Sequence, residues 1–241
     1  MLDLGLRLGM RRPVLDALTK ALVDTLFANG ERGLFYAVKP QILGEQRLWQ
    51  DAERTVPVLA DGDPVWVVDD LSPNAGHATA PNSAARPTYR TDGILHWLET
   101  DGIDDVFFIP NLPYAENFSV SSAQQVGQTS LWAAMRSRLT SGGFVMRSSN
   151  EFITSVGPAS VAYRLNKAAF TGDTRDLRQA LITPGIMTAE NCEPYSGDVI
   201  IIGHTSNRPE SQVFGYIEVE GLFGEHRDAV ENYLQGVSHA Q

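Results

Sequence analysis

The feature that most constrains this chain is the texture of residues 33–219, where short apolar runs are separated by turn residues. Most runs are bounded by Gly, Pro, Asn or Asp, a pattern typical of β-strands joined by turns. Little helical periodicity lies between the runs, so the crossover helices of a parallel sheet are missing. The sequence therefore predicts two antiparallel sheets packed face to face, with alternate side chains turned inward.

Eleven runs are predicted as strands: 34–38, 65–68, 94–99, 106–109, 118–126, 131–138, 144–147, 161–165, 180–187, 199–203 and 213–219. In the last run, the odd-numbered residues are expected on one face of the strand and the even-numbered residues on the other. The Pro- and Asn-containing stretch 72–91 is the longest predicted loop.

Two amphipathic helices are predicted outside these strands. Residues 13–29 carry leucines at three- and four-residue spacing, namely Leu15, Leu18, Leu22 and Leu26. That helix either packs on its own domain or attaches the chain to a partner, and both alternatives stay open. Residues 224–235 form a second apolar stripe with four charged residues expected in solvent, namely Glu225, Arg227, Asp228 and Glu231.

Composition limits the class of protein. The 241 residues are 43% hydrophobic, enough for one core. We assign residues 1–30 to a helical attachment segment and 31–241 to one jelly-roll sandwich domain. A net charge of −10 argues against a nucleic-acid partner. Charged residues interrupt the apolar N-terminal stretch, and no run is long enough to span a membrane, so we expect a soluble protein made in a cytoplasm.

The strongest candidate for chemistry is the acidic stretch Glu99-Thr-Asp101-Gly-Ile-Asp104-Asp105. Carboxylates two residues apart on a strand share a face, so Glu99 and Asp101 are candidates for the nucleophile and acid of a glycoside hydrolase. The oxygen-rich residues Asp101, Asp104 and Asp105 are candidates for contact with a glycan or with Ca²⁺. A tight turn, with Asp side chains bonded to nearby amides, is the third interpretation and the preferred one.

Other motifs of catalysis are missing from the sequence. The five histidines are scattered without metal-ligand spacing, and the single Cys192 allows no intrachain disulfide or thiolate cluster. No nucleophile elbow and no glycine-rich phosphate loop is present. We therefore predict no catalytic residue, no resident metal and no cofactor, and we do not expect an enzyme.

Three stretches carry a resemblance to a known family. They are Ser72-Pro-Asn-Ala-Gly-His-Ala-Thr-Ala-Pro81, Ala85-Arg-Pro-Thr-Tyr-Arg-Thr-Asp-Gly93 and Trp97-Leu-Glu-Thr-Asp-Gly-Ile-Asp-Asp105. Together they resemble the opening of concanavalin A-like, laminin-G-like jelly-roll domains, in the version found in phage and prophage virion proteins. One departure is Thr100, which stands where the family usually has a buried Phe.

The resemblance implies a jelly-roll fold and a structural or appendage role in a phage or phage-like virion. It implies other virion proteins as partners, a homo-oligomer for which we expect a trimer, and a lectin-like domain that contacts host-surface glycans. A free-standing carbohydrate-binding module is the first alternative function, and the hydrolase using Glu99 and Asp101 is the second. The leucines at 15, 18, 22 and 26 are the predicted attachment residues.

Overall fold

The computed structural model describes residues 12–109, 114–127, 137–138, 161–171, 174–192, 199–201, 210–238 and 240. Its helices are α1 (Arg12–Leu26), α2 (Thr174–Ala180) and α3 (Arg227–Ser238), and a short 3-10 helix, Gly224–His226, precedes α3. Its strands are β1 (Gly33–Ala37), β2 (Gln41–Ile42), β3 (Glu45–Gln46), β4 (Leu48–Trp49), β5 (Val67–Val68), β6 (Ala78–Thr79), β7 (Thr88–Thr91), β8 (His96–Asp101), β9 (Phe107–Ile109), β10 (Phe118–Val126), β11 (Ser137–Arg138), β12 (Ala162–Leu165), β13 (Ala168–Ala169), β14 (Gly185–Cys192), β15 (Val199–Ile201) and β16 (Glu210–Glu220).

The strands form two main sheets. The larger has the order β13-β12-β14-β10-β16-β8-β7, with β1 also paired to β16, and the smaller has the order β11-β15-β9-β6-β5-β4. Every strand pair within the described residues is antiparallel. The prediction of a mainly β, antiparallel fold is confirmed.

Strand β16 is the centre of the larger sheet. It pairs with β10 along one side, and its other side pairs first with β8 and then with β1. This strand of 11 residues therefore pairs with three neighbours, and each of its two faces is covered by a different layer. The predicted run 213–219 lies inside this strand, and the predicted run 118–126 coincides with β10.

Helices α1 and α3 cover one face of the larger sheet. Leu22 and Leu26 of α1 join Val230 and Leu234 of α3 in a buried cluster with sheet residues such as Ile217. Burying each such side chain contributes roughly 1.5–3 kcal/mol. The ring of Phe35 on β1 meets the ring of Tyr233 on α3 edge-on, with centroids 5.3 Å apart. The N-terminal helix is thus tied to the C-terminal helix and to the sheet between them.

The opposite face of the larger sheet shares a second cluster with the smaller sheet. Tyr36, Val120 and Met187 of the larger sheet belong to it, together with Val68 and Phe107 of the smaller one. Two apolar faces thus enclose the larger sheet, one helical and one made of strands. Because both faces of the sheet are covered, almost every residue of β10 and β14 is buried. Their sequences consist largely of apolar or small residues and do not alternate strictly between apolar and polar ones.

A bulge breaks the predicted alternation of β16. The register against β10 shifts between Ala123 and Gln124, so that Phe214 has no direct partner there. Phe214 consequently faces the same layer as Ile217, in the helical cluster beside Trp97, and Val213 faces the opposite layer, in the cluster between the sheets. From Gly215 onward the predicted alternation holds, since Ile217 faces the helices.

Several sequence predictions are corrected by the structure. The run 180–187 is wrong at its start, because Ala180 ends α2 and the strand begins at Gly185. The stretch 72–91 is not one loop, because it contains β6 and β7. Glu231 is buried and not in solvent, because it pairs with Arg164 on β12. The run 144–147 and residues 131–136 lie outside the described residues.

No helix in the described part of the chain is both long and apolar enough to cross a membrane.

Candidate functional site

The acidic stretch forms a tight turn at the end of β8. Asp101 is the last residue of β8, and Gly102 follows with a φ of 74°, a left-handed conformation that glycine adopts readily. Oδ1 of Asp101 accepts hydrogen bonds from the backbone N–H groups of Ile103 at 2.7 Å and Asp104 at 3.2 Å. Oδ2 of the buried Asp105 accepts the N–H of Asp101 at 2.8 Å. These bonds make Asp101 and Asp105 parts of the turn itself.

The same three carboxylates are the residues best arranged for a cation among the described ones. One oxygen from each of Asp101, Asp104 and Asp105 lies within 4.8 Å of the others. Ca²⁺ takes six to eight oxygen ligands, so three carboxylates would need carbonyl or water oxygens to complete a shell. The oxygens already bonded to amides are weaker candidates for that role. The prediction of a calcium or glycan contact here stays a prediction.

The two carboxylates of the hydrolase hypothesis form hydrogen bonds with different partners. Glu99 accepts a hydrogen bond from Nε of Arg90 on the neighbouring β7 at 2.7 Å, and Asp101 caps the turn. The register of β8 puts both residues on the side opposite to Leu98, as predicted from the spacing. A glycosidase needs one carboxyl as an acid and one as a nucleophile. Hydrogen bonds to other residues of the protein therefore add no support to the hypothesis.

Thr100 of β8 is buried and has a polar partner on β16. In sequence it lies between Glu99 and Asp101. Its Oγ1 accepts the N–H of Ser211 at 2.9 Å. The hydroxyl groups of Thr100 and Ser211 also lie 3.0 Å apart. The buried polar atoms of this hydroxyl pair are therefore hydrogen-bonded.

The densest polar site is the loop that begins three residues before the first resemblance stretch. We name residues 69–77 the edge loop, because it lies along the free edge of β1. Asp70 is buried, and its carboxylate accepts the N–H groups of Phe35 on β1, Ser72 and Gly76 at 2.8–2.9 Å. The hydroxyl of Ser72 donates to the same carboxylate at 2.6 Å. Burial nevertheless raises the pKa of Asp70, because desolvation outweighs the hydrogen bonds.

Further bonds tie the edge loop to β1. The N–H of Leu71 donates to the carbonyl of Phe35 at 2.9 Å, and the side-chain amide of Asn74 donates to the carbonyl of Gly33 at 3.0 Å. The hydroxyl of Tyr36 donates to the carbonyl of Gly76. The loop thus supplies the bonds that another strand would have made. Covering an edge in this way prevents it from pairing with a second chain.

His77 closes the edge loop beside a second carboxylate. Its Nδ1 accepts the N–H of Asp70 at 3.1 Å and lies 3.2 Å from Oδ1 of Asp69. Oδ2 of Asp69 accepts the indole N–H of Trp49 at 2.8 Å, and its Oδ1 lies 3.1 Å from Nε of Arg54. Within the described residues, that Oδ1 accepts no hydrogen bond. The site therefore holds a buried carboxylate oxygen next to an uncharged histidine nitrogen.

The predicted attachment residues divide between the core and the surface. Leu22 and Leu26 are buried in the helical cluster, Leu15 is half-buried, and Leu18 is 45% exposed. Val14 lies one turn before Leu18 and is 49% exposed. The surface of α1 that is left for a partner thus centres on Val14 and Leu18. The role of the helix in attachment stays a prediction.

Two ion pairs that the sequence did not indicate fasten α3 to the larger sheet. Arg164 on β12 donates to the fully buried Glu231 at 2.9 Å, and Arg227 on α3 lies 2.6 Å from the buried Glu190 on β14. The hydrogen bond from Arg164 to Glu231 raises the pKa of that guanidinium. These buried charges serve the packing of the helix, since each lies at a helix–sheet contact.

Sequence reasoning missed the edge loop as a site. Asp69, Asp70 and His77 were not singled out, because two neighbouring aspartates and a lone histidine are common in surface loops. The detectable signal was Asp70-x-Ser72, a spacing in which an Asp side chain bonds the amide two residues later.

No family model matches the chain, and neither a curated protein nor a solved structure matches it.

Proposed function

We propose that this chain is a structural appendage protein of a phage or phage-like particle, built on a concanavalin A-like jelly-roll sandwich and without catalytic activity of its own. Its partners would be other virion proteins, and its location the virion. A symmetric homo-oligomer is the usual arrangement of such subunits, and we expect a trimer. Residues 1–30 would attach the chain, and the rest would form a rigid module.

The observation that carries the proposal is the use to which the family-like residues are put. Ser72 and Asn74 are bonded to the carbonyl of Gly33 on β1, and Asp101 and Asp105 to the amides of one turn. Side chains that satisfy buried backbone groups hold a scaffold together, whereas a catalytic group needs an oxygen or nitrogen available to the substrate. The resemblance and these contacts both favour a structural role, although the particle itself is inferred from the resemblance alone.

The attachment surface we propose is the outer side of α1. Val14 and Leu18 are about half exposed, and the charged pair Lys20–Asp24 lies farther along the helix at 2.6 Å. Exposed apolar side chains are a usual component of a protein–protein contact, and the charged pair lies on another side of the helix. The substitution Leu18→Glu should weaken assembly and leave folding unchanged. Leu22→Glu would instead place a charge in the core and unfold the helical layer.

Particle association tests the function directly. Particles would be induced in cells that carry this gene, purified on a density gradient and probed with an antibody against the recombinant chain. We expect the chain to sediment with the particles and to stay there through a high-salt wash. Recovery of the whole chain at the top of the gradient, from cells that make normal particles, would refute a virion role.

Light scattering provides the matched test of oligomeric state. The parent chain is expected to form an oligomer that Leu18→Glu weakens, while Lys20→Glu, on another side of the helix, should change it less. A parent chain that is a strict monomer, as Leu18→Glu is, would exclude the attachment role of the helix.

A further inference from the structure

We propose that His77 is a proton-operated switch in the edge loop. Uncharged, it accepts the N–H of Asp70 and holds the loop on β1. Protonated, it turns to Oδ1 of Asp69 and releases that N–H.

The geometry supplies two competing partners for one nitrogen. Nδ1 of His77 lies 3.1 Å from the N–H nitrogen of Asp70 and 3.2 Å from Oδ1 of Asp69. An imidazole nitrogen accepts a hydrogen bond only while it carries no proton, so the observed bond from Asp70 requires the proton of neutral His77 to be on Nε2. In this state the lone pair of Nδ1 faces a carboxylate oxygen, an unfavourable approach.

Protonation reverses both interactions. Nδ1–H can donate to Oδ1 of Asp69, the buried oxygen that accepts no hydrogen bond from any other described residue. The same proton removes the acceptor of the Asp70 N–H, which then lacks its partner. The two states therefore exchange one backbone hydrogen bond for one ion pair, and acid favours the second.

The charges around His77 set where the exchange occurs. Burial and the nearby guanidinium of Arg54 lower the pKa of His77, and Arg47 acts in the same direction, while Asp69 and Asp70 act in the opposite one. Since the pKa in the folded state is depressed, the stability due to neutral His77 is present above the ordinary histidine pKa. It is lost as the pH falls through the depressed value.

The consequence of the switch reaches β1. Asp70 follows Asp69 directly, and its carboxylate holds the N–H of Phe35 on β1. When the N–H of Asp70 loses its acceptor, the backbone of Asp70 is held less firmly. The hydrogen bond from its carboxylate to β1 is weakened as a result. In acid, the edge of β1 is therefore less well covered and more available for pairing with another strand.

Hydrogen exchange measured on the full chain tests the switch. The rates of the amides of Asp70 and Phe35 would be compared at neutral pH and at about pH 5, after correction for the intrinsic pH dependence of exchange. We expect the protection of these amides to fall by about fivefold in acid, the effect of losing one hydrogen bond. Amides of β10, which lies inside the larger sheet, should keep their protection.

The variant His77→Asn separates His77 from the other groups that titrate. The Oδ1 of asparagine can accept the N–H of Asp70 at a similar reach, and it cannot be protonated in this pH range. Protection in His77→Asn should equal that of the parent at neutral pH and should no longer fall in acid. A fall that persists in His77→Asn would overturn the proposal and assign the effect to another titrating group. A parent protein without any acid-dependent loss would overturn it as well.

A second variant tests the acceptor of the protonated state. Asp69→Asn removes the charge that favours imidazolium, so the loss of protection should move to lower pH. His226→Asn, at a half-buried histidine outside the edge loop, should leave the transition unchanged. The ring nitrogens of His77, followed by NMR in the parent protein, should report Nε2–H as the neutral form. An Nδ1–H neutral form would contradict the switch without reliance on any variant.

Discussion

Removing the carboxylate of Asp70 should destabilise the protein more than its place in a loop suggests. In Asp70→Ala, the N–H groups of Phe35, Ser72 and Gly76 lose their acceptor, and so does the hydroxyl of Ser72. The hydroxyl can turn to another acceptor, but the three amides are fixed by the backbone. The substitution thus leaves three donors in a region where Asp70 itself is only 4% exposed.

The magnitude follows from these three donors. Each buried amide without a partner costs about 1–3 kcal/mol, and the lower end applies where water can enter the space left by the side chain. The sum is offset in part, because the folded state no longer buries a carboxylate. We therefore expect a loss of about 3 kcal/mol in the free energy of unfolding. Asp70→Asn keeps one acceptor oxygen and should lose about half as much.

Urea unfolding followed by tryptophan fluorescence measures this loss, provided that the dependence on urea concentration stays constant. Asp51→Ala is the matched control, since Asp51 also accepts amides of its own loop, those of Thr55 and Val56, but lies near solvent that can replace it. The control should lose clearly less. Equal losses in the two variants, or a loss below about 1 kcal/mol in Asp70→Ala, would refute the structural role of the edge loop.

The pH dependence of Asp70 has a defined sign. Because burial raises the pKa of its carboxyl in the folded state, the stability that depends on Asp70 is greatest in acid. It is lost as the pH rises through the raised value. The difference in unfolding free energy between the parent and Asp70→Asn should therefore widen toward acid. A constant difference across this range would show that the carboxyl titrates alike in both states.

Three further predictions concern the sheet and its helical layer. Gly33→Ala should prevent folding, since a Cβ there would lie 2.1 Å from a backbone oxygen of β16. In the control Gly30→Ala the added Cβ meets open space, and the substitution should cost about 1 kcal/mol because of the positive φ. Circular dichroism distinguishes the two outcomes. Burial raises the pKa of Tyr233 to about 12, so unfolding free energy should fall by about 2–3 kcal/mol as the pH rises from 10 to 12, and this fall should be absent in Tyr233→Phe. Arg164→Met should cost about 3–5 kcal/mol because Glu231 stays buried without its cation, and adding Glu231→Leu should recover most of the loss; thermal unfolding of both variants checks this.

The long strands were accessible to sequence reasoning because their signal is local. β10 has the predicted bounds, and β16 contains the predicted run, since apolar residues recur along each strand and turn residues flank it. Of the two-residue strands β4, β5 and β6, only β5 lies within a predicted run, 65–68, because two residues are too few for a periodicity of two to be recognised reliably. Their positions follow from pairing with β9 and with one another.

The candidate site was less accessible, because its contacts join distant parts of the chain. Asp70 bonds an amide 35 residues away, and Arg164 reaches Glu231 across 67 residues. No local pattern contains such pairs, so Glu231 was placed in solvent by the helical period alone. The acidic turn was correctly interpreted as a turn, because the bonds of Asp101 reach residues only two and three positions later.

The copy number of this chain in purified particles tests the central claim most directly. Quantitative mass spectrometry against a labelled standard would compare the chain with the most abundant structural protein of the same particles. A structural subunit should be present at a fixed ratio in independent preparations. Trimers would give a copy number per particle that is close to a multiple of three. A ratio that varies between preparations, or that falls toward zero on washing, would contradict a structural role in the virion.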